Sequence, residues 1–281
     1  MEYIRKLSNN NRISYGTFRN AIEEIREDNY TFKFILKGQQ DYIIAKRTVS
    51  IFPDCFLFLP RGTRYKSIID SFDAVDLLSI SVSADFMDSL HPGHTQCPYL
   101  SGLESFYPLS GDMRSNLLHL CQQVIRQEAD EQRINESVRH CLNQYFQVHQ
   151  RETSERIGNI RALKASTRQE LFKKLTLAKE YISNNYNKKF NLDDVAGFSC
   201  LSVNHLLRNF KEAYGLSPNQ FLSRIRLDRA KYFLEESNHS VSCISMLVGF
   251  DSISSFIRLF KSVFKTTPLK YKRRFFELKS C

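Results

Sequence analysis

None of the seven cysteines belongs to a CxxC pair, and no long apolar run interrupts the 281 residues. Unpaired, scattered cysteines argue against a thiol-built metal or redox centre and fit a reduced cytoplasm. No stretch is apolar enough to span a bilayer, and no apolar signal opens the chain, so a cytoplasmic protein without membrane contact is expected. Catalytic signatures are missing too. There is no GxSxG, Walker glycine loop, GxGxxG or HExxH, and the charged residues show no spacing of paired catalytic carboxylates. We therefore expect neither an enzyme nor a cofactor. Histidine is absent between Met1 and Leu90. The first two, His91 and His94, stand with Cys97 in HPGHTQC, where proline and glycine indicate a loop. A structural metal site needs a fourth ligand, so a surface loop is expected here rather than a metal centre.

What remains is ordinary globular composition, with 42% hydrophobic and 25% charged residues, which excludes extended disorder. The net charge of +10 is unevenly placed. Residues 1–170 carry 21 Lys and Arg against 21 Asp and Glu, whereas residues 171–281 carry 19 against 9. The whole excess lies in the C-terminal part, as expected of a domain facing a polyanion, although a solvated basic surface has the same composition.

That part contains a repeat. VAGFSCLSVNHLLRNFKEAYGLSP is matched by ISMLVGFDSISSFIRLFKSVFKTTP, with Val195 and Leu201 corresponding to Ile244 and Phe250. After an offset longer by one residue, Leu206, Arg208, Phe210, Lys211 and Pro218 correspond to Phe256, Arg258, Phe260, Lys261 and Pro268. Each copy predicts a short apolar helix, a turn, and a second helix buried through Val203, Leu206 and Phe210 or through Ile253, Phe256 and Phe260. Ser202 and Ser252 are placed to cap the second helices. Ser217-Pro218-Asn219-Gln220 predicts a capping box and the start of a long joining helix. On it, Arg224, Arg226, Arg229 and Lys231 are expected to be solvated or paired with Asp228, with one or two facing phosphate. Arg208 and Arg258 fall two positions before a buried phenylalanine, which turns them away from the core. An arginine there can read guanine bidentately, and clamping phosphate is the competing role.

Upstream, Tyr30, Phe32, Phe34 and Leu36 alternate with Thr31, Lys33 and Ile35, and runs at Tyr42–Ile51, Cys55–Leu59 and Val75–Val82 follow. This predicts a strand meander closing as a small β-barrel or jelly roll. Met113, Leu117, Leu120 and Val124, then Ile134, Val138, Cys141 and Tyr145, mark two helices. Their four-three steps suit either packing on the β domain or a seam between two chains around Leu117 and Tyr145. The polar stretch Gln150–Glu170 reads as a connector. The expected fold class is α+β, with a β-barrel domain and helical pair at 1–150, a linker at 151–170 and an all-α domain at 171–281.

The stretches LSVNHLLRNFKEAYGLSP, FLSRIRLDRAKYFL and VGFDSISSFIRLFKSVFKTTPLKYKRR closely resemble the DNA-binding domain of the AraC/XylS family of bacterial transcription regulators. LKGQQDYIIAKRTVSIFPDCFLFLPRGTRY is similar, more loosely, to the cupin-type effector or dimerisation domain of that family. The resemblance implies two helix-turn-helix units reading double-stranded DNA. Their candidate contacts are Ser202, Val203, Asn204, His205, Arg208 and Lys211, and Ser252, Ser254, Ser255, Arg258 and Lys261. It also implies an activator in a homodimer, with RNA polymerase and a small-molecule effector as further partners. The alternative is a repressor whose N-terminal domain answers a protein partner or only dimerises. Where the family has glycine, as at Gly215, the second copy has Lys265, which must either adopt a left-handed conformation or end its helix differently.

Overall fold

Short aromatic and β-branched runs need neighbours for their backbone hydrogen bonds, and in the computed structural model they find them in two antiparallel sheets. The structure describes residues 2–44, 47–53, 55–70, 74–90, 105–108, 111–127 and 130–279. HPGHTQC lies outside them, and among the described residues no cluster of side chains suits a metal ion. The chain divides into two units, Met1–Thr153 and Ser154–Cys281.

In the first unit the strands are β1 (Glu2–Lys6), β2 (Arg12–Phe18), β3 (Ala21–Arg26), β4 (Tyr30–Lys37), β5 (Gln40–Ile44), β6 (Arg47–Ile51), β7 (Cys55–Leu59), β8 (Arg64–Ile69), β9 (Val75–Val82) and β10 (Ser105–Pro108). A short helix α1 (Ala84–Leu90) follows β9, and α2 (Gly111–Arg126) and α3 (Glu131–Asn159) follow β10. One sheet has the order β1-β2-β9-β4-β7-β10, the other β3-β8-β5-β6. The expected α+β class holds, and of the two expected closures the barrel is corrected. Among the described residues the strands form two sheets, and neither closes on itself.

Strand β4 is central in the larger sheet and buried on both faces. Phe32 and Phe34 join Phe56, Phe58, Leu78 and Ile80 in one core with Leu117, Leu120, Val138 and Tyr145 of α2 and α3. Those helical side chains are the ones offered for a seam between chains. Because the sheet covers them, a dimer seam through Leu117, Val138 and Tyr145 is corrected to intramolecular packing. Burial also pushes the Cys121 thiol up to about 12 and the Cys141 thiol up to about 11, so both are protonated at neutral pH.

The opposite face of β4 carries Thr31 and Lys33 toward the smaller sheet. Glu27, buried, accepts from Thr31 Oγ1 at 2.7 Å and from Tyr65 Oη at 2.6 Å. Its carboxylate lies 3.6 Å from Lys33 Nζ, which also sits 5.8 Å from the Tyr65 ring centroid. One carboxylate thus ties a strand of each sheet to the same point.

The second unit is helical: α4 (Ala165–Asn184), α5 (Leu192–Phe198), α6 (Val203–Tyr214), α7 (Pro218–Glu236), α8 (Val241–Leu247), α9 (Ile253–Phe264) and α10 (Pro268–Lys279). The proposed connector is largely helical. Residues through Asn159 continue α3, and α4 begins at Ala165, leaving 160–164 outside both.

Candidate nucleic-acid interface

Each helix-turn-helix is assembled from local signals. Asn191 caps α5 by accepting from the Asp193 amide at 3.1 Å, and Ser240 caps α8 by accepting from the Cys243 amide at 3.1 Å. Ser202 caps α6 through the His205 amide at 3.3 Å, and Ser252 caps α9 through the Ser255 amide at 3.4 Å. These bonds satisfy amides that the first helical turn leaves free. Between α5 and α6 the chain turns through Cys200 at φ 52°, and between α8 and α9 through Gly249 at φ 87°. The joining helix α7 has the full capping box, with Gln220 N donating to Ser217 Oγ at 3.3 Å and Ser217 N donating to Gln220 Oε1 at 2.9 Å.

The second helix of each motif buries one stripe and presents another. In α6, Leu206, Asn209, Phe210 and Ala213 are buried, while Asn204, His205, Arg208 and Lys211 are exposed and Val203 is half-buried. In α9, Phe256 and Phe260 are buried, while Ser254, Ser255, Arg258 and Lys261 are exposed, and Ile253, expected in the buried stripe, is corrected to an exposed position beside them. Ser202 and Ser252 are exposed at the cap positions. The structure therefore brings the candidate contacts together as two like-faced strips, each with an arginine one turn before a lysine. The strips differ in reach: α6 offers Asn204 and His205, where α9 has Ser254 and Ser255.

Both helices end in the left-handed region, α6 at Gly215 with φ 72° and α9 at Lys265 with φ 59°. Lys265 has taken the first of its two options, and its amide bonds the Lys261 carbonyl at 3.0 Å. A side chain there costs conformational energy that glycine avoids. Lys265→Gly is expected to stabilise the second unit by about 1 kcal/mol, because Lys265 is exposed and its replacement opens no cavity. Thermal unfolding of the two proteins checks this; an unchanged or lower midpoint contradicts it.

The basic residues of α7 do not form a third strip. Arg224 pairs with Asp228 at 3.1 Å, Lys231 with Glu235 at 3.8 Å, and Arg229 is buried. Arg226 turns toward the protein, donating Nε to the Tyr186 carbonyl at 2.7 Å and Nη2 to the Lys188 carbonyl at 2.9 Å. Burial moves its pKa down, opposed by the nearby Asp251 charge. Sequence reasoning did not single out the Ser240 cap, nor the exposed Lys188, Lys189, Arg273 and Arg274. The cap was legible as a serine before an apolar run; the cations carried no signal beyond their charge.

Two capped pairs of helices, each presenting a polar and basic outer face from its second helix, define a tandem helix-turn-helix protein. A model described as "Helix-turn-helix domain" matches residues 195–274. The chain is 35% identical over 86 residues, 31% of its length, to a probable transcription factor PqrA of Proteus vulgaris, 70% of which is covered. It is 27% identical over 214 residues to an uncharacterized HTH-type transcriptional regulator YbfI of Bacillus subtilis, covering 74% of this chain and 72% of that one. It is 33% identical over 95 residues to the HTH-type transcriptional activator RhaS of Escherichia coli, covering 34% of each chain. Against several other curated regulators the match spans 28% to 46% of their length. The chain belongs to the AraC/XylS family of transcription regulators.

Proposed function

We propose that this regulator binds double-stranded DNA sequence-specifically through α6 and α9, each laid in a major groove. The two grooves would lie about one helical turn, ~34 Å, apart on one face of the duplex. The observation that carries the proposal is the matched pair of exposed strips, Arg208 with Lys211 and Arg258 with Lys261, on helices whose opposite faces are buried. Activation is the direction proposed, in keeping with the activator among its relatives, and RNA polymerase is the partner that activation requires. Catalysis forms no part of the proposed role.

The first unit is proposed as the regulatory half. Inside it, Lys33 already has an internal counter-charge in Glu27. That favours the reading in which this unit answers a protein partner or forms a homodimer over one in which it takes a charged small-molecule effector.

The test uses residues 154–281 beside the full chain. Starting at 154 keeps Arg156 stacked on Tyr214 and the Arg161 amide bonded to Glu212. Selection from genomic DNA supplies the duplex, and affinity is then measured across salt. Because neutralised phosphates release counterions, a protein making about 6–10 phosphate contacts loses ~10³–10⁵ in affinity between 50 and 200 mM salt. A folded fragment that binds duplex without salt dependence, or selects no sequence, contradicts the proposal.

A further inference from the structure

Arg226 reaches out of α7 to bond the backbone of another segment. Its two carbonyl partners, Tyr186 and Lys188, lie in the turn that connects α4 to α5, just ahead of the first helix-turn-helix in the chain. Its guanidinium carbon lies 5.7 Å from the centroid of Phe250, in the turn of the second helix-turn-helix. One residue earlier, Gly249 approaches the same α4–α5 turn so closely that a Cβ would stand 2.9 Å from both the Cα and the carbonyl oxygen of Asn187. Gly249 also holds φ 87°, so a side chain is excluded on two counts. Three segments therefore meet at this point: α7, the α4–α5 turn and the α8–α9 turn.

We infer that Arg226 and Gly249 form a junction that fixes the angle between α6 and α9, and so sets the spacing and helical phase of the two DNA segments the protein accepts. The long helix α7 packs against α4 and α6, and against α8 and α10. A single rod fixes separation along its axis but resists rolling of the second motif around that axis less well. A second attachment, off the rod, removes that freedom. Arginine suits the task because its planar fork satisfies two carbonyls while its face stacks on an aromatic ring; lysine has no fork. Glycine suits its place because the turns must touch backbone to backbone.

This inference rests on the two-segment reading above, and the experiment separates the two. Binding of the full chain is measured on the selected duplex, on duplexes with one or two base pairs inserted between the segments, and on a duplex with the second segment scrambled. Wild type is expected to lose about 10-fold or more on a single insertion, which rotates one segment by ~35° relative to the other. Arg226→Gln is expected to lose less than about 3-fold on that insertion, while its affinity for the scrambled duplex stays within about 2-fold of wild type. Gly249→Ala is expected to flatten the spacing profile likewise. If circular dichroism shows that either variant has lost helix, Arg226→Lys, which keeps the charge and N–H donors but not the planar fork, carries the comparison. A folded variant that loses affinity equally on every duplex overturns the inference, leaving Arg226 a stabilising contact only. A wild type indifferent to the insertion overturns the two-segment reading and this inference with it.

Discussion

Arg208→Ala is expected to weaken binding to the selected operator by about 1–3 kcal/mol and to relax preference at particular base pairs. Arg208 is exposed on α6 in its N-terminal half, one turn before Lys211 and opposite the buried Phe210. A guanidinium there can give guanine O6 and N7 two hydrogen bonds at once, and losing them penalises the correct base more than the others. Arg258→Ala is expected to change sequence preference less, because Ser254 and Ser255 give α9 short polar reach and Ile253 beside them is apolar. Lys211→Ala and Lys261→Ala should weaken all sequences alike, as removal of a phosphate contact does. The measurement is affinity for operator, single-base variants and random duplex at one salt concentration. Equal losses on all three for Arg208→Ala would reduce Arg208 to a phosphate clamp.

In the first unit the largest expected effect follows from removing one carboxylate. Glu27 and Lys33 are only 5% and 7% exposed, so Glu27→Ala leaves a buried ammonium without its counter-charge, removes the acceptor of the Tyr65 hydroxyl and leaves the Thr31 hydroxyl with Ser81 Oγ at 3.3 Å. Breaking a buried pair from one side costs about 3–5 kcal/mol. The pH dependence has a definite sign. Burial already holds the Lys33 pKa below its ordinary value, and Glu27 opposes that shift. Without Glu27 the folded-state pKa falls further below the unfolded one. The penalty is therefore fully present where the lysine is charged in the folded state, and it shrinks as pH rises through that depressed pKa toward the unfolded value. Urea unfolding of the full chain, followed by tyrosine fluorescence, should show a smaller deficit near the alkaline end of that window than at neutral pH. A deficit below about 1 kcal/mol would show the pair to be dispensable, and one that grows with pH would contradict the sign.

Much of the second unit was legible because its signals are local. Ser202, Ser252 and the Ser217–Gln220 box each act within four residues, and the three-and-four spacing of Leu206 and Phe210 fixes a buried face without reference to the rest of the chain. The first unit is different in kind. Which strands share a sheet depends on pairings such as β2 with β9 and β3 with β8, dozens of residues apart, and no periodicity encodes them. The spacing of Val138, Cys141 and Tyr145 specifies an apolar face but not its partner, so a sheet of the same chain satisfied it as well as another chain would. Residues 151–159 lack an apolar stripe, yet they continue α3 because the helix is already nucleated, and adding residues to an existing helix is far easier than starting one. At the interface, Arg208 and Arg258 were legible from their distance to a buried phenylalanine. Arg226 was not, because its partners are backbone carbonyls 38 and 40 residues away.

The unequal turns of the two motifs bear on how copies of this unit can be compared. From the cap to the closing proline both copies run in step, Ser202 to Pro218 and Ser252 to Pro268, and the left-handed residues Cys200 and Gly249 are also equivalent. The extra residue, Asp251, falls between Phe250 and the cap at Ser252. Both recognition helices therefore start in the same phase relative to their own caps despite the insertion. A gap placed anywhere inside α9 would rotate every later side chain by about 100°, exchanging Phe256 and Phe260 with the outer strip. The length difference between the two copies thus belongs in the turn before the cap, and an alignment that puts it inside the recognition helix pairs core positions with surface ones.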